Sequence, residues 1–452
     1  MKTPGTDSST PSVELLRGPG RPLNADAQGL DASGFVEQEF SFSGQASRYR
    51  LPDPAREAER VDGGHRYATR LLVRRPRDTG RFNGTVVVEW LNVSAGQDID
   101  FVYAATRELL LRKGYAWVGA SVQRGGVERL VTWSPDRYSA LTVAAPQTDA
   151  DTGDALDPAY AVTGAVGGDV LCWDIYSQVA EAIRREAVDL LGVPAVDRII
   201  AAGESQSAFR LSRYYNSIQP LHGAYDGFLL YDRGGPMPLR ADVTAKVISV
   251  GTEFMTAYLG ASSPPDSDHQ RWWELAGSSH TSLAEIEDYV DPQVRRDGGA
   301  FGLTEMLTHE GGGSDHPLWS RVPNADLMKA ALHALTRWLD SGIAPASAPR
   351  LAVDAQGRLV RDHEGRARGG IRYAAYDAPS AINVGVTDTG CRLAGYHIDF
   401  TPQEMMQRYG NHAAYLARVS AIVKENVTEG FLLPEDAERV AVETRVPWLD
   451  AE

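Results

Sequence analysis

The sequence predicts an α/β fold: a doubly wound, mostly parallel sheet with lid-like insertions and a C-terminal extension. Two patterns carry this. Continuous apolar strand patterns alternate with helical ones and show no internal repeat, and one such strand, beginning at Arg198-Ile-Ile-Ala-Ala, runs straight into the turn Gly203-Glu204-Ser205-Gln206-Ser207 with an amphipathic pattern directly behind it. The segment from Gly34 to Arg75 reads as strands, with Phe35, Tyr67 and Leu71-Leu72-Val73 as buried positions. Thr85–Trp90 is an unbroken apolar strand, Phe101–Arg112 a helix and Tyr115–Val122 a second apolar strand, the β-α-β order of a sheet covered on both faces. Asp174–Ala187 repeats Ile175, Val179, Ala182 and Ile183 at helical spacing. The elbow strand from Arg198 follows, and then strands at Gly227–Tyr231, Lys246–Val250 and Arg271–Leu275. Leu327, Ala331, Leu335, Trp338 and Leu339 form a helix stripe stopped by Gly342 and Pro345, and a further helix is expected around Gln403–Ala417. Stretches near 123–170 and 281–324 are rich in Gly, Pro, Asp and Ser and read as excursions over the strand ends. The expected organisation is a core over 1–345 and an extension over 346–452 packed on it.

Composition narrows the function classes. Among 452 residues, 43% are hydrophobic and 23% charged, an ordinary globular mixture. A formal net charge of -15 repels phosphate backbones, so neither nucleic acid nor an anionic membrane is expected as a partner. The first ten residues are polar and lack the apolar run of a secretory signal, and no apolar stretch reaches the ~18 residues of a membrane span. Cytoplasmic localisation follows as the expectation. Cys172 and Cys391 are too few for a disulfide framework and read as reduced thiols, with a single bridge between them left open. No H-E-x-x-H pair, P-loop or post-strand G-x-G-x-x-G occurs, so neither a metal nor a nucleotide cofactor is expected. The oligomeric state is not legible.

The chemistry concentrates at Gly203-Glu204-Ser205-Gln206-Ser207. A serine between strand and helix in a sharp turn projects its hydroxyl above the sheet, which is the logic of a nucleophile elbow; Ser207 stands where the usual G-x-S-x-G pattern has its second glycine. A serine hydroxyl needs a base to take its proton and an acid to orient that base. In α/β-hydrolases these follow the nucleophile in the order acid, then histidine. Glu253, just past the Lys246–Val250 strand, fits the acid, with Asp266 and Asp268 as rivals. His280, past the Arg271–Leu275 strand and beside small residues, fits the base, with His309 and His316 in reserve. An oxyanion needs two backbone donors: Gln206 supplies the first, and the loop after Trp90 the second, with Val93 leading over Asn92 and Ser94. Trp133, Tyr138, Tyr160 and Trp319 are equally readable as pocket lining or as core.

These residues resemble a large bacterial family known as the alpha/beta hydrolase domain family, whose members look like serine carboxylesterases. The resemblance rests on Glu89-Trp-Leu-Asn-Val-Ser94, the Gly-Glu-Ser-Gln-Ser elbow, Trp273-Glu-Leu-Ala-Gly-Ser-Ser-His280, the Trp338 helix ending in Pro345, and Gly369-Gly-Ile-Arg372, and it spans nearly the whole chain. It implies a serine-hydrolase fold and a Ser205, Glu253, His280 triad, but no shared substrate. The expectation is a cofactor-independent serine hydrolase acting on a small carboxylic ester through an acyl-enzyme. A lactonase or amidase using the same triad is the alternative, and a non-catalytic binding protein on the same fold is the rival from another class.

Overall fold

The computed structural model describes residues 10–51, 56–157, 167–233, 237–260, 264–298, 319–386 and 393–443. Tyr160, His309, His316 and Cys391 lie outside them, as does the 299–318 part of the second excursion. The chain divides into two compact units: Met1–Tyr103 with Arg107–Lys246, and Ala104–Thr106 with Val247–Glu452. The extension drawn from residue 346 onward therefore falls in the second unit, together with the strands from Lys246 onward, of which only Lys246 itself belongs to the first unit.

In the first unit the strands are β1 (Ser12–Leu15), β2 (Phe35–Arg50), β3 (Glu59–Pro76), β4 (Thr85–Trp90), β5 (Ala116–Ala120), β6 (Arg198–Glu204) and β7 (Gly227–Tyr231), in the spatial order β1-β2-β3-β5-β4-β6-β7. The N-terminal three pair antiparallel, and β3 joins β5 antiparallel. From β5 onward the pairings are parallel: Val86 opposite Ala116, Thr85 opposite Arg198, and Ile200 opposite Gly227. Val86, Val87 and Val88 of β4 and Ile199 and Ile200 of β6 are fully buried, the mark of strands covered on both faces.

The chain leaves β4 through α1 (Phe101–Lys113) for β5 on one side. It later returns through α2 (Arg124–Trp133) and α3 (Cys172–Arg185) to β6 on the other side of β4. Because parallel crossovers are right-handed, this reversal puts helices on opposite faces and opens a crevice beyond the carboxyl ends of β4 and β6. After β6 comes α4 (Gln206–Ser217).

In the second unit β8 (Lys246–Thr252) and β9 (Gln270–Leu275) pair in parallel, Val247 opposite Gln270, and α5 (Glu253–Leu259) follows β8 directly. α6 (Asn324–Ser341) carries the expected stripe, with Leu327, Ala331, Leu335 and Trp338 buried. The extension holds a small antiparallel pair, β10 (Ala381–Val384) and β11 (Tyr396–Asp399). Where one helix was expected around Gln403–Ala417 there are two, α7 (Pro402–Tyr409) and α8 (His412–Glu429). The break falls at Gly410, and Asn411 caps the second helix by accepting from the Ala414 amide at 2.9 Å. Phe400, Met405, Tyr415, Val419 and Ile422 give these helices an apolar cluster of their own. No helix among the described residues is long and apolar enough to cross a membrane.

Candidate active site

The corner between β6 and α4 has the geometry of an elbow. Ser205 sits at φ 53°, ψ −116°, a backbone region costly for any residue with a Cβ. Its amide donates to Tyr231 O at 2.9 Å and its carbonyl accepts from the Phe209 amide at 2.9 Å, so the strained residue is pinned from both sides. Gly203 sits at a close approach. A Cβ there would stand 3.0 Å from Leu211 Cδ1, 3.1 Å from the Ala208 amide nitrogen and 3.1 Å from the Ser207 carbonyl carbon. Ser207 does what a glycine could not: its buried hydroxyl accepts from the Glu204 amide at 3.0 Å and donates to the Glu204 carbonyl at 2.8 Å, stapling the turn. The departure from the usual glycine is thus a hydrogen-bonded substitute.

The loop after β4 is tied to the same corner. Asn92 Nδ2 donates to the Glu204 carbonyl and to Glu204 Oε2, both at 3.0 Å. Asn92 N and O pair with Ile99, and Asn92 Oδ1 accepts from the Ser94 amide at 2.8 Å. The loop's far end is anchored by buried acids. Asp98 takes Ser121 Oγ at 2.6 Å and Arg70 Nη2 at 3.0 Å, and Asp100 takes Arg74 Nη1. Burial pushes the Asp98 carboxyl upward, opposed by Arg70.

These bonds sort the three candidate oxyanion donors. The amides of Asn92 and Ser94 are occupied, while among the described residues neither the Val93 amide nor the Gln206 amide has an acceptor. Neither end of the buried Gln206 carboxamide has a partner among them either. Behind the corner, Arg210 of α4 is fully buried and bonds Asp157 at 2.6 Å and Asp169 at 3.3 Å, and Asp169 also takes the Arg124 amide at 2.6 Å. The first excursion is therefore clamped to the elbow helix. Tyr138 is fully buried, donating to Glu39 at 2.7 Å, and Trp319 is 1% exposed; both are core, while Trp133 is half-buried with Arg21 over its ring.

In the second unit Glu253 opens α5, behind Thr252, whose hydroxyl accepts from the Met255 amide at 3.1 Å. It is 0% exposed. Its Oε2 accepts from the Gly277 amide at 2.7 Å and from Tyr376 OH at 3.4 Å, and its Oε1 lies 2.9 Å from Arg361. The His280 loop is held beside it: the Glu253 amide donates to Ser278 Oγ at 3.1 Å, and the Phe254 ring lies 5.1 Å from the His280 ring. His280 is buried, and its amide donates to Leu393 O at 2.9 Å. Around it, Trp319 Nε1 donates to Thr281 O at 3.1 Å and Asn324 Nδ2 to Ser279 O at 2.8 Å. Gly277 turns at φ 77°, where a Cβ would stand 2.3 Å from the Tyr376 ring.

The rival Asp266 is paired with Arg350 and takes the Trp272 amide at 3.1 Å at the start of β9. A carboxyl that sequence reasoning passed over lies nearer: Glu285, buried after the His280 turn, accepts from Ser282 Oγ at 2.7 Å. Burial pushes it up to about 7 against the pull of Ser282, His280 and Lys329. Ser205, Gln206 and Val93 lie in the first unit, and Glu253 and His280 in the second.

A family model described as an alpha/beta hydrolase domain matches residues 2–442. No curated protein matches the chain. Among solved structures the chain is similar to an α/β serine hydrolase without lid from Xanthomonas campestris, at 12% identity over 46% of this chain and 71% of that one, TM-score 0.26. It is similar also to an α/β serine hydrolase homologue from Coxiella burnetii, at 12% identity over 47% and 84%, TM-score 0.28. The third is the esterase Est22, at 16% identity over 47% and 48%, TM-score 0.25, so the match spans about half of Est22.

Proposed function

The chain belongs to the alpha/beta hydrolase domain family, and on that premise we propose that it is a serine hydrolase that cleaves a small carboxylic ester through an acyl-enzyme. Ser205 Oγ attacks the ester carbonyl as His280 takes its proton, and Glu253 orients the imidazole and offsets its charge. The amides of Gln206 and Val93 hold the oxyanion. Collapse breaks the ester C–O bond, and His280 returns the proton to the departing alkoxide. Water then attacks the acyl-serine with His280 again as base, releasing the acid and restoring Ser205.

The observation that supports this reading most is the backbone of Ser205: a non-glycine residue held at φ 53°, ψ −116° between a buried strand and a helix. Strain of that kind is retained where function needs the geometry. Two amides without acceptors among the described residues, one on either side of the β4–β6 crevice, add to it.

The test is labelling by a fluorophosphonate probe together with hydrolysis of a short-chain aryl ester. Wild type is expected to label and turn over, and Ser205→Ala to do neither. Equal behaviour of the two proteins overturns the proposal in favour of a binding protein on a hydrolase fold. Specificity constants across esters, lactones and amides then rank the bond types.

A further inference from the structure

We propose that Arg361, in the C-terminal extension, is a positioning residue for the catalytic acid: it balances the buried Glu253 carboxylate through Oε1 while leaving that oxygen to accept the imidazole N–H. This rests on the reading of Glu253 and His280 as acid and base.

Arg361 is mounted in a short tandem pattern. Asp354-Ala-Gln-Gly-Arg358 and Asp362-His-Glu-Gly-Arg366 are two copies of one turn. In the first, Asp354 Oδ1 accepts from the Gln356 and Arg358 amides, both at 2.9 Å, and Oδ2 takes Arg358 Nε at 2.9 Å. In the second, Asp362 Oδ1 accepts from the Glu364 amide at 2.9 Å and the Arg366 amide at 3.0 Å, and Oδ2 takes Arg366 Nε at 3.1 Å. Such aspartate-closed turns are locally determined. Arg361 immediately precedes the second turn, bridged across it to Ala367, and its guanidinium also donates to Gly365 O at 2.9 Å. The turn thus presents the guanidinium from a rigid base.

At Glu253 the two oxygens are treated differently. Oε2 is taken by the Gly277 amide and Tyr376 OH, and Tyr376 is itself fixed by the Ala367 amide at 2.6 Å. Oε1 lies 2.9 Å from Arg361 yet has no hydrogen-bond partner among the described residues, so the contact is an ion pair without hydrogen-bond alignment. A fully buried carboxylate needs such a countercharge. The same charge tempers how strongly Glu253 stabilises an imidazolium, keeping the base deprotonated at lower pH. Among the described residues, the charged and titratable groups facing the pair include Arg361 and Tyr376 at Glu253, Arg372 over the Tyr376 ring, Glu285 at His280, and Lys329 at Glu285.

The test compares pH profiles of kcat/KM for wild type, Arg361→Gln and Arg361→Lys, with active sites counted by fluorophosphonate titration so that misfolded protein drops out. Arg361→Gln is expected to lower kcat several-fold and to move the acid limb to higher pH by on the order of half a pH unit or more. Arg361→Lys is expected to keep the limb near its wild-type position. An unmoved acid limb in Arg361→Gln, with any loss of activity accounted for by fewer active sites, overturns the proposal. Failure of the hydrolase reading looks different: wild type itself neither labels nor turns over.

Discussion

Replacing Ser205 by glycine tests whether the elbow stores strain. At φ 53°, ψ −116° any Cβ is strained, at a cost of about 1–3 kcal/mol. Glycine relieves that cost but adds roughly 0.5–1 kcal/mol of unfolded-chain entropy. The net expectation is that Ser205→Gly is about 1 kcal/mol more stable than Ser205→Ala. The comparison with alanine is the informative one, because both variants lose the hydroxyl and whatever it bonds, and they differ only in the Cβ. Both should lose hydrolysis by at least about a thousandfold. The assay is equilibrium urea unfolding followed by tryptophan fluorescence, where Trp173, beneath the Arg210 guanidinium at 5.4 Å, lies near the elbow helix. A glycine variant no more stable than the alanine variant refutes the claim of stored strain.

Three further outcomes are expected. Asn92→Ala removes a bond to the Glu204 carboxylate and one to its carbonyl, although Ser207 still holds that carbonyl. It should cost about 2–4 kcal/mol in urea unfolding and, by loosening the Val93 amide, lower kcat by roughly ten- to a hundredfold; a variant with unchanged kcat removes Val93 from the oxyanion site. Glu285 titrates near 7 when folded against 4.5 ordinarily, so between those values the folded protein holds a proton that the unfolded chain has released. Stability from this group is full below about pH 4.5 and is lost as pH rises through 7, by up to roughly 3 kcal/mol, and Glu285→Gln should flatten that slope in unfolding free energy measured against pH. Gln206→Leu removes a buried carboxamide with no partner among the described residues, so it should be neutral or stabilising by about 1 kcal/mol. Marked destabilisation in a urea melt would show that this amide is bonded in the folded protein.

What could be read from the sequence was local. Val86–Val88 and Ile199–Ile200 announce buried parallel strands because consecutive apolar residues alternate between the two faces and so make both apolar, and the elbow announces itself because a strand, a small turn and a helix are contiguous. The break at Gly410 was missed because apolar residues recur at helical spacing on both sides of it, and position alone does not show where the helical axis changes. What could not be read depends on pairings distant in sequence. Nothing near Asn92 shows that its side chain reaches Glu204, and nothing near Glu253 points to Arg361 or Tyr376. The tandem Asp-x-x-Gly-Arg turns were available as a signal, since a repeated aspartate-closed turn is a rigid mount.

The attachment of Arg361 and Tyr376 to Glu253 has a practical corollary for anyone wishing to shorten this protein. A truncation after Pro345 would look harmless on a map of strands and helices, yet it would strip a dehydrated anion of its Arg361 countercharge and of the Tyr376 hydroxyl, leaving the Gly277 amide as its donor among the described residues. Redesign around Arg361 or Tyr376 is therefore an edit to the electrostatics of Glu253, made from more than a hundred positions downstream.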